Sequence, residues 1–180
     1  MTPAVLLVAA TLAQAPQAGA TTPAQQPSAP ARAQDVASVE AIVGALYDTI
    51  SGPAGQKRDW DRMRSLFLPE GRLIASATRP DGSRVHRVMD VQGYIDRSGP
   101  SLEKSGFFER EIARRLDQFG SIAHAFSTYE SRRAMADAQP FARGINSIQL
   151  LNDGKRWWIV TVLWDSEGKD SPIPAQYLPR

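Results

Sequence analysis

Residues 144–165 read GINSIQLLNDGKRWWIVTVLWD. Two apolar runs flank Asp153-Gly154, and this dipeptide between such runs is a strong signal for a β-hairpin. The second run, residues 157–164, is apolar at both odd and even positions, which indicates a strand that is covered on both faces. Helices can cover only one of those faces. The other face would then be covered by a second copy of the chain or by the C-terminal tail.

The segments before this hairpin predict the rest of the sheet and the helices beside it. Residues 107–116 and 122–131 predict two antiparallel strands, and residues 72–78 and 84–89 predict a shorter hairpin. Apolar residues at helical spacing predict a first helix after Asp35, its candidate N-cap, and a second after Asp59. A short helix is expected over residues 91–99. Helices gathered beside an antiparallel sheet predict an α+β domain.

The chain divides into four parts. Residues 1–20 predict a signal peptide, because an apolar core is followed by small residues, and cleavage is expected after Ala20. A disordered N-terminus or a misplaced start is the alternative. Residues 21–34 are rich in Ala, Gln and Pro and predict a disordered tether. Residues 35–165 form the predicted domain, and residues 166–180 form a Pro-rich tail on its surface. The signal peptide implies a periplasmic or secreted protein.

The charge pattern and composition limit the classes of function. The formal net charge is +2, and in residues 107–117 arginines alternate with acids. We interpret this run as a solvated strand edge, and we expect no nucleic-acid binding, which requires a basic face without interleaved acids. The chain has no cysteine, no histidine pair at ligand spacing and no Gly-rich phosphate loop. We therefore predict no metal and no cofactor. We also expect no membrane span, because the N-terminal apolar run from Ala4 to Ala13 is too short to cross a bilayer.

Three stretches carry a resemblance to a known family. They are DWDRMRSLF at residues 59–67, GSIAHAFSTYES at residues 120–131, and residues 144–165. With the order of elements, they resemble the nuclear transport factor 2-like, or SnoaL-like, superfamily over about residues 35–165. The resemblance implies a cone-shaped cystatin-like fold, in which N-terminal helices pack on a curved, mostly antiparallel sheet and enclose a pocket.

Within that superfamily, two motifs are most similar to the lumazine-binding branch. They are a Tyr-Glu pair on one strand and a Gly-x-Asn-Ser-x-Gln-Leu strand after the next loop, here at Tyr129-Glu130 and residues 144–150. Ala142-Arg143 stands where that branch often has His-Cys. The superfamily contains isomerases, cyclases, dehydratases and binding modules, so the resemblance implies the fold more sharply than the function.

The ketosteroid isomerases of this fold offer a residue-by-residue comparison. Their proton-shuttle Asp corresponds to Ala75 here, which cannot move a proton. Their oxyanion-hole Tyr falls near Ala45, two residues before Tyr47, and their late Asp falls near Asn146, which can still donate a hydrogen bond. An isomerase of that type is therefore not expected.

The catalytic candidates lie on one strand. His124 could act as a general base near neutral pH if it faces the pocket, and the bulky Ile122 and Phe126 on its side of the strand predict that it does. A shift of one residue would reverse the faces, and a packed histidine without function is the alternative. Tyr129 and Glu130 point to opposite faces, so at most one of them can join it.

The ligand-binding candidates are aromatic or amide side chains: Asn146, Trp158, Trp164, Tyr47 and Trp60. Strand alternation predicts that Trp158 and Trp164 share one face. A pocket walled by such residues suits a small apolar or aromatic molecule. Ordinary packing in the core or at an interface is the alternative explanation for the tryptophans.

Together these features predict an exported small-molecule-binding domain of the SnoaL-like type, forming a homodimer, with no assignable reaction. One alternative is an enzyme of the same fold, an isomerase, dehydratase or cyclase-type catalyst that moves a proton with His124. Another is a protein-interaction module of the cell envelope, which would have a filled interior and a large apolar surface patch.

Overall fold

A computed structural model describes residues 30–79 and 81–179. The predicted signal peptide and residues 21–29 of the predicted tether lie outside these described residues. Contacts with the domain begin before residue 35: Ala31 packs against the core, and Arg32 forms an ion pair with Asp59 at 2.7 Å.

The order of elements confirms the predicted α+β class. In chain order they are α1 Val39–Ile50, α2 Trp60–Leu66, β1 Phe67–Thr78, β2 Arg84–Met89, α3 Val91–Ser105, β3 Phe108–Phe119, β4 Ile122–Arg132, β5 Ala142–Asn152 and β6 Trp157–Ser166, with short 3-10 helices at Ala33–Asp35 and Ala175–Tyr177. The third helix is longer than predicted. It continues through Pro100, whose ring is exposed to solvent.

The six strands form one sheet in the order β2-β1-β6-β5-β4-β3. Every neighbouring pair is antiparallel except β1 and β6, which are parallel. The predicted hairpin between β5 and β6 is confirmed. Gly154 in its turn has a φ of 89°, a conformation that glycine adopts without the steric cost of a side chain. The sheet is curved, and the three helices pack on one face of it, so the predicted cystatin-like arrangement is also confirmed.

The start of α1 differs from the prediction. Ser38, not Asp35, caps the helix, and its hydroxyl accepts a hydrogen bond from the Ala41 amide. Asp35 is buried and accepts two hydrogen bonds from Arg62, at 2.7 and 2.9 Å. This guanidinium lowers the pKa of the Asp35 carboxyl. Asp35 therefore joins the N-terminal segment to α2 and does not begin a helix.

A β-bulge in β6 reverses the predicted alternation. Ile159 pairs with Leu150 and Thr161 pairs with Gln149, so Val160 is the extra residue between them. Such a bulge shifts the inward-facing set by one position. Trp157 and Ile159 are therefore buried in the core together with Val162. The prediction that Trp158 shares a face with Trp164 is wrong for this reason.

The C-terminal tail covers part of the sheet face that the helices leave open. The Tyr177 carbonyl accepts a hydrogen bond from the Thr128 hydroxyl at 2.6 Å. The Tyr177 ring lies edge-on to the Phe126 ring, with 5.0 Å between their centroids. Ile173 is buried. Beyond the tail the same face stays open, with Ile122 57% exposed. Every helix of the described residues is too short or too polar to span a bilayer.

Gly144 of β5 has no side chain and so leaves room for the Tyr129 ring. Gly144 pairs with Tyr129, and a Cβ at Gly144 would overlap the Tyr129 hydroxyl and the Asp165 carbonyl. Gly144→Ala is expected to lower the free energy of unfolding by about 1–3 kcal/mol, because the backbone carbonyl cannot move aside. The measurement is urea unfolding followed by circular dichroism.

The matched control is Gly44→Ala, at an exposed position inside α1 where an added Cβ meets nothing within 4 Å. It is expected to raise the free energy of unfolding by up to about 1 kcal/mol, because alanine favours the helix. Equal stability of Gly144→Ala and the wild type would contradict the tight contact between β4 and β5.

Candidate functional site

A cavity of about 280 Å³ lies between the helices and the inner face of the sheet. Its walls are mainly apolar and aromatic, and include Leu46, Met63, Tyr94, Phe107, Val162 and Trp164. The Tyr94 and Trp164 rings meet edge to face at 6.2 Å between centroids. Such walls with a few convergent polar groups are typical of small-molecule sites.

The polar groups of the cavity gather around Tyr47 of α1. The Tyr47 hydroxyl lies 2.7 Å from the Ser127 hydroxyl on β4 and 3.1 Å from the Asn146 amide nitrogen on β5. The same Asn146 nitrogen lies 3.4 Å from a carboxylate oxygen of Glu109 on β3, whose other oxygen accepts a bond from Ser131 at 2.9 Å. One helix and three strands thus meet in a single hydrogen-bond network.

The donors and acceptors of this network have fixed directions. Ser127 donates its proton to the Glu111 carboxylate, so its oxygen is free only to accept. Tyr47 therefore donates to Ser127 and accepts from Asn146. The Asn146 amide donates one proton to Tyr47 and the other to Glu109, which leaves its carbonyl oxygen as its remaining polar group.

Glu109 is the electrostatically unusual member of the network. Burial raises the pKa of its carboxyl to about 7, and the hydrogen bonds from Ser131 and Asn146 only partly offset that rise. Near neutral pH this group therefore exists in both the charged and the neutral form. Burial also raises the pKa of the Tyr47, Tyr94 and Tyr129 hydroxyls, that of Tyr129 to about 12, so the phenols stay neutral.

Local structure places Glu109 next to the end of α1. The Ser51 hydroxyl, directly after the helix, accepts a hydrogen bond from the Glu109 amide at 3.0 Å and donates one to the Tyr47 carbonyl at 2.7 Å. Gly52 pairs with Phe107 just before β3. These contacts fix the first residues of β3 against the helix that carries Tyr47.

Several predicted ligand-binding residues do line the cavity. Tyr47, Asn146 and Trp164 are on its wall, and so is Tyr129, whose hydroxyl lies 3.3 Å from that of Ser166. Tyr129 faces the helices because β4 turns its odd-numbered residues inward.

His124 lies on the opposite face, and the prediction that it faces the pocket is wrong. Its Nε2 is 2.9 Å from the Ser147 hydroxyl, and its ring lies edge-on to Phe126. The bulky Ile122 and Phe126, which suggested an inward face, instead point outward, where Phe126 meets Tyr177 of the tail. The small residues Ala123, Ala125 and Ser127 face the helices in their place.

Glu130 is also outside the cavity. Its carboxylate accepts hydrogen bonds from Arg110 at 2.6 Å and from Arg132 at 2.9 Å on the outer face of the sheet. The two guanidinium groups lower the pKa of Glu130 and offset the opposing effect of its burial. Glu130 therefore belongs to an ion-pair cluster.

Two of the predicted tryptophans do not reach the cavity. Trp158, two residues before the bulge, points outward. Its indole donates to the Asp153 carboxylate at 2.8 Å and stacks under the Arg156 guanidinium at 3.6 Å. Trp60 packs against the core beside Gly99 of α3.

Glu109 is the residue that sequence reasoning missed. The run FFEREIARRLD was interpreted as a solvated edge, and β3 is indeed an edge strand whose far end is exposed. However, the alternation of acids and arginines places Glu109 and Glu111 on one face and Arg110 on the other. Phe107 has the same parity as the two acids, and this pattern was the available signal for an inward acidic face. Within the described residues, no group of three His, Asp or Glu side chains could hold a metal ion.

No family model and no curated protein matches this sequence. Among solved structures, a protein with a cystatin-like fold from Nostoc punctiforme PCC 73102 matches with a TM-score of 0.54 and 10% identity, over 73% of this chain and 90% of that chain. An NTF2-like protein from Silicibacter pomeroyi DSS-3 matches with a TM-score of 0.50 and 14% identity, over 73% and 94%. A nuclear transport factor 2-like superfamily protein from Salmonella enterica serovar Typhimurium matches with a TM-score of 0.50 and 18% identity, over 71% and 87%.

At these identities the similarity is one of fold. The chain has the nuclear transport factor 2-like, cystatin-like fold that its sequence motifs predicted. None of the three matches separates the lumazine-binding branch from the others, so that finer resemblance stays a prediction.

The raised pKa of Glu109 predicts how the free energy of unfolding depends on pH. Its carboxyl titrates near 4.5 in the unfolded chain and near 7 in the folded protein. Between these pH values the folded protein holds a proton that the unfolded chain has released. The free energy of unfolding should therefore decrease as the pH rises through this range, by up to about 1.4 kcal/mol per pH unit.

The measurement is urea unfolding of the wild type and Glu109→Gln from pH 4.5 to pH 8. The variant should lack this contribution and gain stability relative to the wild type as the pH rises. Glu70→Gln, at an exposed carboxyl, is the control and should follow the wild type. Parallel curves for the wild type and Glu109→Gln would mean that Glu109 titrates alike in the folded and unfolded states.

Proposed function

We propose that this protein binds a small, mostly apolar molecule in the cavity between its helices and its sheet. The observation that carries the proposal is the arrangement of that cavity: apolar and aromatic walls, with one polar cluster around Tyr47, Asn146 and Glu109. At about 30 Å³ per water-sized group, 280 Å³ accommodates a ligand with one ring and a short side chain.

The polar cluster suits a ligand with one polar end. The Glu109 carboxyl and the Asn146 carbonyl oxygen are available to it, while the Tyr47 proton is already used by Ser127. The apolar body of the ligand would lie against Tyr94 and Trp164. Burial of that body supplies the main free energy of binding, and the polar end fixes its orientation.

A second candidate function is proton transfer on the same ligand. It is supported by Glu109, because a carboxyl with a pKa near 7 can accept and release a proton at neutral pH. The version of this alternative that uses His124 has no support from the geometry, since His124 is on the other side of the sheet. An isomerase, dehydratase or cyclase would have to rely on Glu109.

The remaining predictions concern where the protein acts and with what partner. The N-terminal signal-like sequence supports export to the periplasm or out of the cell. The open part of the outer sheet face, with exposed Ile122 and Leu163, supports contact with a second copy of the chain. An envelope interaction module would require a filled interior, so the cavity favours ligand binding over that alternative.

The test is to screen a library of small aromatic and aliphatic fragments by NMR and to repeat it with Ala142→Phe. Ala142 is on the cavity wall, so the added ring should occupy ligand space and weaken binding by at least about tenfold, or roughly 1.4 kcal/mol. Resonances of Tyr94, Trp164 and the Asn146 amide should shift in the wild type.

Ala134→Phe places the same ring in an exposed loop and is the matched control, which should leave binding unchanged. His124→Gln should also have no effect. Shifts centred on Phe126 and Ile173 of the outer face, or unchanged affinity in Ala142→Phe, would refute binding in the cavity.

A further inference from the structure

Glu109 is the one formally charged side chain among the described residues that line the cavity. Its carboxylate receives hydrogen bonds only from neutral groups, the Ser131 hydroxyl and the Asn146 amide. Glu109 as a residue is half-buried, but its carboxylate is largely removed from water. Such a carboxylate normally has a cationic partner, because removing a charge from water is costly unless an opposite charge or strong hydrogen bonds replace the solvent.

Three other acids of the described residues, two of them buried and one half-buried, do have such partners. Glu111, two residues along the same strand, is bound by Arg114 at 2.7 Å, and Asp35 is bound by Arg62 at 2.7 Å. Glu130 is bound by two arginines. The contrast with Glu109 is therefore local and specific, and does not reflect a shortage of arginine.

No neighbouring element presents a free cation to Glu109 within the described structure. Tyr47 of α1, Tyr94 of α3, and Tyr129 of β4 are the titratable groups that line the cavity with it, and all three are neutral near pH 7. Arg110 and Arg132 border an outer groove beside Glu109, together with Asp48 of α1, but both arginines bind Glu130.

The rest of the cavity wall also favours a positive charge. Aromatic rings of Tyr94, Phe107, Tyr129 and Trp164 line the cavity together with Glu109, while the Phe141 ring already has the Arg133 guanidinium 4.1 Å from its centroid. The faces of such rings attract cations, and more strongly when the cation is removed from water. A cation at Glu109 would thus be stabilised by both the carboxylate and the aromatic walls.

We propose that the ligand is a small apolar amine, bound as its ammonium ion with the positive charge on the Glu109 carboxylate and the apolar body against the aromatic walls. This inference rests on the proposed function and specifies its ligand class. The ammonium replaces the missing counter-ion, a neutral isostere offers only a hydrogen bond, and an anion is repelled by the same carboxylate.

The raised pKa of Glu109 agrees with this inference and adds a consequence. A bound ammonium favours the ionised carboxylate and therefore lowers the pKa of Glu109. Between the pKa values of the bound and free protein, each binding event should release up to one proton to the solvent. The affinity for the amine should accordingly fall as the pH drops below about 7.

The test compares three probes of one shape on the full chain: phenethylamine, 2-phenylethanol and phenylacetate. We measure each dissociation constant by calorimetry and NMR at pH 6 and pH 8. At pH 8 the amine should bind at least about tenfold tighter than the alcohol, the value expected for one charge-assisted contact, and phenylacetate should bind most weakly. Amine binding at pH 6 to 7 should release protons, as detected in buffers of different ionisation enthalpy.

Glu109→Gln should remove the preference, so that this variant binds the amine and the alcohol with affinities within about twofold of each other. Glu70→Gln, which changes the net charge equally at an exposed site, should keep the preference. The alcohol measurement shows that the cavity of Glu109→Gln is intact, so a misfolded variant cannot imitate the expected result.

Equal binding of amine and alcohol, or an unchanged amine affinity in Glu109→Gln, would overturn the amine inference while leaving the cavity as a binding site. Failure of all three probes would overturn it too if members of the fragment library bind in the cavity. If the library also fails to bind there, the proposed binding function itself is refuted.

Discussion

The hydrogen bonds of the Tyr47 hydroxyl join the helical layer to the sheet at the polar end of the cavity. Because Ser127 donates to Glu111, Tyr47 must donate to Ser127, and Asn146 must donate to Tyr47. These hydrogen-bond directions also limit which donors and acceptors of Asn146 and Glu109 stay free. A network inside a protein is stabilising when each member is satisfied, and it also orients its members. The polar groups that remain for a ligand are thus determined by contacts behind the cavity wall.

The same network explains how one strand can carry two acids of different character. Glu111 and Glu109 both face inward from β3, two residues apart. The strand is irregular between Glu111 and Ala113, and Arg114 lies just beyond this irregularity. Arg114 forms an ion pair with Glu111, so the charge of Glu111 is balanced. Glu109 lies toward the cavity, where only neutral donors meet it. The two carboxylates therefore differ in their hydrogen-bond and ion-pair partners, not in their residue type.

The sequence predicted the fold largely because local signals agreed with one another. The hairpin at Asp153-Gly154 and the helical spacing before residue 50 both point to an α+β domain, and the motifs point to its family of folds. It was harder to predict which side chains of each strand face the helices, because this depends on the register of the strand. An unpaired Val160 reversed the expected face of Trp158, and His124 lies on the outer face although its bulky neighbours indicated the inner one. Glu109 escaped notice because alternating charges usually mark a solvated strand, and what distinguishes it within the described structure is that the neighbouring Arg110 and Arg132 bind Glu130 instead.

The parallel pairing of β1 with β6 links segments that are far apart in the chain, with Leu73 opposite Val162. Contacts of such long sequence separation form late, because the intervening chain must first lose much of its conformational freedom. While a chain is being synthesised, β1 can pair with β2 but lacks its other neighbour until β6 emerges. Val162 and Trp164, which close one wall of the cavity, belong to that last strand. The cavity is therefore complete only when β6 is in place, so a nascent chain has no closed site for a ligand there until its last strand has emerged.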